Sequence, residues 1–284
     1  MHTLRNRILF FSVTGAAGLA SLMLHNYMMD NCFDAKGLLI DGNLPGRLLW
    51  VVGIGFAVFL ALMLRTIGGE GSYEDNFPPC LLSGSLMLAA GAVLCWAIPE
   101  LVLEAGESVP GVTGLPLLVQ NITDRAVQYL PWAAAASMGV LGICRMLGRK
   151  PWPILSGAVC LFYMLMLVTN YRLWSADPQI HDYAYQLLAE VLLMLCSFHR
   201  TCCDAGVIQR KRLIATGLCA AVCCMASLSG GFQRGFFLAS GLWAAGCLCN
   251  VAQLPPDPEE EEEESPEQPE EPAVEAENTP DPLA

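Results

Sequence analysis

Charge is scarce in this chain: 15% of its 284 residues are Asp, Glu, Lys or Arg. Basic residues are the scarcer kind, 15 Lys and Arg against 27 Asp and Glu, which argues against a basic nucleic-acid binder. Catalytic signatures are missing too. There is no Walker-type phosphate loop, no His-Glu-x-x-His, no Gly-x-Ser-x-Gly elbow and no Cys-x-x-Cys pair. Nor is there an Asp-rich lipid-transferase motif, or a pair of helical aspartates or a Ser–His pair for intramembrane proteolysis. The 13 cysteines do not make a disulfide framework, because most fall in apolar helical stretches and only Cys32 and Cys80 sit in loops. A buried free cysteine behaves as a small hydrophobe. No metal site and no cofactor is expected.

What the chain does have is apolar length. Its mean hydropathy is +0.47 although its net charge is −12. The two are reconciled by position. Residues 255–284 hold 13 of the 27 acids and no base, leaving 14 acids against 15 bases in residues 1–254. A nearly neutral apolar body therefore precedes an acidic tail. The tail contains eight prolines and the run Glu259 to Glu264, and with so little to bury it is expected to be disordered and cytoplasmic. It is either a solvating terminus or a site for a basic cytoplasmic partner.

Crossing a roughly 30 Å hydrocarbon core takes about 20 mostly apolar residues. Eight windows qualify, at 8–28, 48–66, 79–101, 127–147, 152–173, 181–201, 212–230 and 235–254. In the fourth, Pro131 is expected in the first helical turn, where proline is tolerated. With the N-terminus inside, ten Lys and Arg, among them Arg145, Arg149, Lys150, Arg200 and Arg210, fall on inner loops and five on outer loops. That is the positive-inside bias. Arg5, Arg7 and the apolar run behind them are expected to form an uncleaved signal-anchor. Eight crossings then place both termini in the cytoplasm.

Asn26-Tyr27 and Asn170-Tyr171 end the first and fifth helices, and Arg65-Thr66 and Arg200-Thr201 end the second and sixth. These echoes suggest two four-helix repeats, 1–148 and 149–254, within the transmembrane domain. Small residues at helix-packing spacing (Gly15 and Gly18; Ala135 and Gly139; Gly217 and Ala221; Gly241 and Ala245) suit packing within the bundle or a homo-oligomer face, with packing the expectation. The longest outer connection, 102–126, has room for a re-entrant or interfacial element.

Glu190 is the charge that does not sit at a membrane edge. An ionised carboxylate in hydrocarbon is costly, so it must face the bundle interior, be paired or stay protonated. Asp182, Gln186 and Glu190 are four apart and share one helix face. This polar stripe, with Asn170 and Tyr171 on the preceding helix, forms either an ion or substrate path or a structural hydrogen bond between helices. Cys196, His199 and Cys203 share a face further along and would give three soft ligands, but no second ligand cluster accompanies them. His25 reads as an interfacial residue at the end of the first helix.

The run Tyr171-Arg172-Leu173-Trp174-Ser175-Ala176-Asp177-Pro178, with Asp182-Tyr183 and Leu187-Leu188-Ala189, resembles a segment of uncharacterised bacterial multi-pass membrane proteins. The resemblance spans about one helix and its entry loop. It implies a bacterial plasma membrane and assigns no activity. The expectation is an all-α integral membrane protein in the lipid bilayer, non-enzymatic, serving as an accessory, sensory or scaffold component. The alternative is a small-solute or ion transporter using the stripe that ends at Glu190.

Overall fold

A computed structural model describes residues 2–32, 43–65, 67, 73–106, 117–174, 180–230, 233–249 and 251. Among these there is no strand. Nine α-helices follow one another: α1 His2–Asn31, α2 Leu44–Arg65, the single turn α3 Tyr73–Asn76, α4 Leu81–Gly106, α5 Leu117–Met146, α6 Pro153–Trp174, α7 Ile180–Ala205, α8 Arg210–Ser227 and α9 Arg234–Leu248. The tail 255–284 lies outside the described residues.

Every apolar window has become a helix, but the helices are not alike. Four carry a stretch long and apolar enough to cross a membrane: Leu9–Asn31, Leu44–Arg65, Leu81–Val102 and Pro153–Tyr171. The described chain is thus all-helical with four candidate membrane-spanning helices, consistent with a membrane protein. Window eight is shorter than expected. Its helix, α9, has 15 residues, about 22 Å at 1.5 Å per residue, and it packs between α4 and α8. Phe236, Phe237, Trp243 and Cys247 on it are all buried.

Two helix ends follow the glycine rule. Gly148 (φ 67) closes α5 and Gly206 (φ 100) closes α7. In each case the next amide reaches back into the last turn, Arg149 N–H to Cys144 O and Val207 N–H to Cys202 O, both 2.9 Å. That is the left-handed stop that glycine allows without a Cβ clash. Pro131 departs from expectation. Helix α5 begins at Leu117, so the proline lies inside it rather than in its first turn. The helix recruits much of the 102–126 connection, and α4 runs on to Gly106.

The main core joins α4, α5, α6, α7, α8 and α9 around Met87, Met138, Phe162, Tyr163, Phe236 and Trp243. Helices α4 and α5 meet backbone to backbone. A Cβ on Gly142 would stand 2.7 Å from Gly84 O, and one on Gly91 would stand 2.8 Å from Ala135 O. Small residues thus serve close packing inside the chain, the main source of association between helices in lipid. Gly15 differs, since nothing lies within 4 Å of the Cβ it lacks.

Helices α1 and α2 form an outer pair that leans on α8. Trp50, Val51, Ile54, Val58 and Leu62 of α2 are exposed, as expected of a lipid-facing surface. The two halves proposed from sequence pack differently: α7 lies along α8, whereas its counterpart α2 has no comparable packing with α4. The echoed residues are also in unlike settings. Asn26 and Arg65 are exposed, while Asn170 and Arg200 are fully buried.

Candidate functional site

Among the described residues, three polar clusters interrupt the apolar interior. The first surrounds Glu190, ten residues into α7 and fully buried. Asn170, on the last part of α6, donates from Nδ2 to Glu190 Oε1. Asn170 also exchanges two hydrogen bonds with Gln233, each 3.2 Å, Nδ2 to Oε1 one way and Nε2 to Oδ1 the other. The last part of α6, the middle of α7 and the start of α9 are thereby tied together. Burial is what makes the tie matter, because a buried polar group without a partner costs about 1–3 kcal/mol.

Gln233 is the residue that hydropathy and spacing miss. It holds the left-handed conformation (φ 48, ψ 36) just before α9, which is uncommon for a residue with a Cβ. That backbone turn delivers its amide to Asn170. In sequence it looks like a loop residue 63 positions away from its partner.

Of the stripe itself, Gln186 is buried beside Glu190 on the same helix face, and Glu190 Oε2 and Gln186 Oε1 find no hydrogen-bond partner among the described residues. The side chain of Asp182 lies outside the described residues. Tyr171 does not join the cluster. It follows Asn170 in sequence, points the other way on α6 and is 61% exposed. Neither Gln186 nor Glu190 lines the large cavity described next.

That cavity, about 700 Å³, lies between α1, α2, α7 and α8. Its walls are mainly apolar, with Arg47, Trp50 and Tyr185 toward one end. Behind it is the second polar cluster. His25 is fully buried rather than interfacial. Its ring meets Tyr185 edge-on at 5.0 Å, and its Nδ1 lies 3.2 Å from Ala226 O with Ser229 Oγ alongside. Cys32, expected in a loop, is likewise buried, against Met28 and Leu49.

The third cluster lies at the opposite end of the bundle. Tyr73 of α3 receives hydrogen bonds from Arg145 Nη1 (3.2 Å) and Arg200 Nη2 (3.1 Å) and donates to Asp204 Oδ1 (3.2 Å). Arg200 also pairs with Asp204 one turn along α7, Nη2 to Oδ1 at 2.9 Å. Both guanidiniums lie over the Phe77 ring, at 4.9 and 4.7 Å from its centroid, a cation–π contact. Burial holds the Tyr73 phenol above its ordinary range, so it keeps the proton it donates to Asp204.

The sequence reading takes Arg145 and Arg200 as loop charges. Instead they are buried, held by a short segment between α2 and α4 that carries Tyr73 and Phe77. They do share one end of the bundle, as the alternation of helices requires.

The soft-ligand face on α7 is not gathered into a site. His199 Nδ1 pairs with Gln209 Oε1 at 2.8 Å, and among the described residues no three His, Cys, Asp or Glu side chains converge. All 13 cysteines are free thiols. No protein-family model, curated protein or solved structure matches this chain.

Proposed function

We propose that this chain is a non-enzymatic component of a bacterial plasma membrane, crossing it eight times with both termini in the cytoplasm. Its role is that of an accessory, sensory or scaffold protein, and its acidic tail 255–284 offers a docking segment for a basic cytoplasmic partner. The observation that carries this reading is the setting of Glu190. The carboxylate is buried, bonded to Asn170 and absent from the walls of the 700 Å³ cavity. A transport residue has to reach water or solute during its cycle. A carboxylate tied into a three-helix hydrogen-bond set serves the bundle itself.

The eight crossings are supported by the buried arginines. Arg145 ends α5 and Arg200 nears the end of α7, and Tyr73 before α4 binds both, so these three helix ends share one side. The missing catalytic motifs point the same way.

Reconstitution tests the proposal. The full chain in sealed vesicles should leave proton and cation permeability at the level of empty vesicles. A proton or cation flux that appears with the protein and disappears in Glu190→Gln would replace this reading with the transport one.

A further inference from the structure

We propose that the cleft between α2 and α7 holds one acyl chain of an anionic phospholipid, its headgroup phosphate at Arg47. This rests on the membrane reading of α1 and α2, and not on the number of crossings or on any role for Glu190. Four observations lead to it.

The cleft exists because α2 is packed on one side only. It follows α1 and barely touches α8, and its face toward α7 is left open. The resulting space, about 700 Å³, falls within the roughly 300–1,000 Å³ of small-molecule sites.

The walls change character along their length. Phe56, Leu188, Leu192 and Val222 make the deep part apolar, while Trp50 and Tyr185 stand near the start of α2 and α7. Aromatic rings with a polar edge mark the headgroup level of a bilayer.

The depth matches one leaflet. Arg47 to Ala57, the furthest lining residue of α2, is ten residues along the helix, about 15 Å at 1.5 Å per residue. Half of a roughly 30 Å hydrocarbon core is about 15 Å.

The charge is of one sign. Arg47 is exposed and lines the mouth, and among the described residues no carboxylate lines the cleft. A guanidinium pairs with phosphate through two parallel N–H donors, so an anionic headgroup fits this end and an apolar chain fits the remainder.

Two small residues on the α2 wall allow a direct test. Gly53 and Ala57 line the cleft, and nothing lies within 4 Å of the Cβ that Gly53 lacks. Larger side chains there enter open space. Gly55 has equally open surroundings but does not line the cleft, so Gly55→Leu is the matched control.

The full chain is extracted in mild detergent, stripped of lipid, mixed with phosphatidylglycerol or phosphatidylcholine, and weighed intact by native mass spectrometry. One phosphatidylglycerol per chain should be retained. Gly53→Leu and Ala57→Phe should each reduce that retention at least tenfold, and Gly55→Leu should not change it. Arg47→Gln should remove the preference for phosphatidylglycerol over phosphatidylcholine. Retention unchanged in both filled variants, equal retention of the two lipids by the wild type, or only multiple-lipid species with no single-copy state each overturns the proposal. Fractionation separates its failure from failure of the membrane reading: a chain recovered without detergent refutes the latter, whereas a detergent-requiring chain that keeps no lipid refutes only the cleft.

Discussion

Asn170 and Gln233 face each other as a reciprocal amide pair, each donating one hydrogen bond of 3.2 Å and accepting another. The same Asn170 Nδ2 also serves Glu190, so one side chain on α6 supports residues on two other elements.

Truncation at Asn170 should therefore be felt at both partners. Asn170→Ala strands two buried polar groups and is expected to cost about 2–6 kcal/mol, since each stranded group costs about 1–3. The Asn170→Ala/Gln233→Ala double mutant should fall short of the sum of its single mutants, by about 0.5–3 kcal/mol of coupling. Thermal unfolding of the four proteins in detergent measures this. Strict additivity would mean the pair is not formed.

Asp204 pairs with Arg200 and is the carboxylate whose charge acts on both Arg145 and Arg200 among the described residues. In Asp204→Asn two guanidiniums remain buried over Phe77 with their counter-charge gone, and breaking a buried pair in this way costs about 3–5 kcal/mol. Replacing both partners, as in Arg200→Met/Asp204→Leu, should cost less than Asp204→Asn alone. Unfolding midpoints of the two variants decide between these outcomes.

Tyr73 supplies a pH dependence whose sign can be worked out. Its phenol is raised above the ordinary value of 10.0, with burial the largest cause. The folded state thus holds the proton more tightly than the unfolded chain does. The stability contribution is complete below pH 10 and is lost as pH rises through the folded value. Alkaline unfolding should steepen above about pH 10 in the wild type, and Tyr73→Phe should lose that component. Identical alkaline limbs would show that the phenol does not titrate with unfolding.

Backbone contact between α4 and α5 sets a steric contrast. Gly142→Val forces a side chain into Gly84 O and Leu88. Overpacking of this kind costs about 1–3 kcal/mol or more. Gly15→Val on α1 meets open space and should be tolerated. Yield and melting temperature of the two proteins provide the readout, and equal behaviour would argue against the α4–α5 contact.

Sidedness is testable at two exposed positions. Asp30, at the end of α1, and Arg149, after α5, are both exposed. In intact cells a membrane-impermeant thiol reagent should add one label to Asp30→Cys over the parent protein, and none to Arg149→Cys until the cells are opened. The reverse pattern would invert the orientation.

Hydropathy alone places the long helices to within a few residues at most ends, because a run of apolar residues has few other ways to satisfy its backbone. It also leads from Glu190 to Asn170, since a carboxylate in hydrocarbon needs a partner and the adjacent helix carries an amide. Gln233 stays hidden, because its role depends on a left-handed turn that brings distant chain segments together. The burial of Arg145 and Arg200 is hidden for another reason. Charge counting treats an arginine at a helix end as facing water, and only the fold shows Tyr73 and Phe77 covering it. The cleft is least legible of all. It comes from contacts that α2 does not make, and composition carries no trace of those.

The place of α9 has a consequence for how the molecule is made. It is synthesised after the other eight helices, yet it lies between them. Ser83 on α4 donates to Gly246 O, Trp243 donates to Ser197 on α7, and Gln233 meets Asn170 on α6. Until α9 leaves the ribosome, the earlier helices surround an unfilled slot lined with Ser83, Ser197, Asn170 and Glu190. Such a groove would tend to draw water, lipid headgroups or a stray helix into the bundle. Assembly is therefore completed by the late arrival of a short helix that closes the gap between α4 and α8.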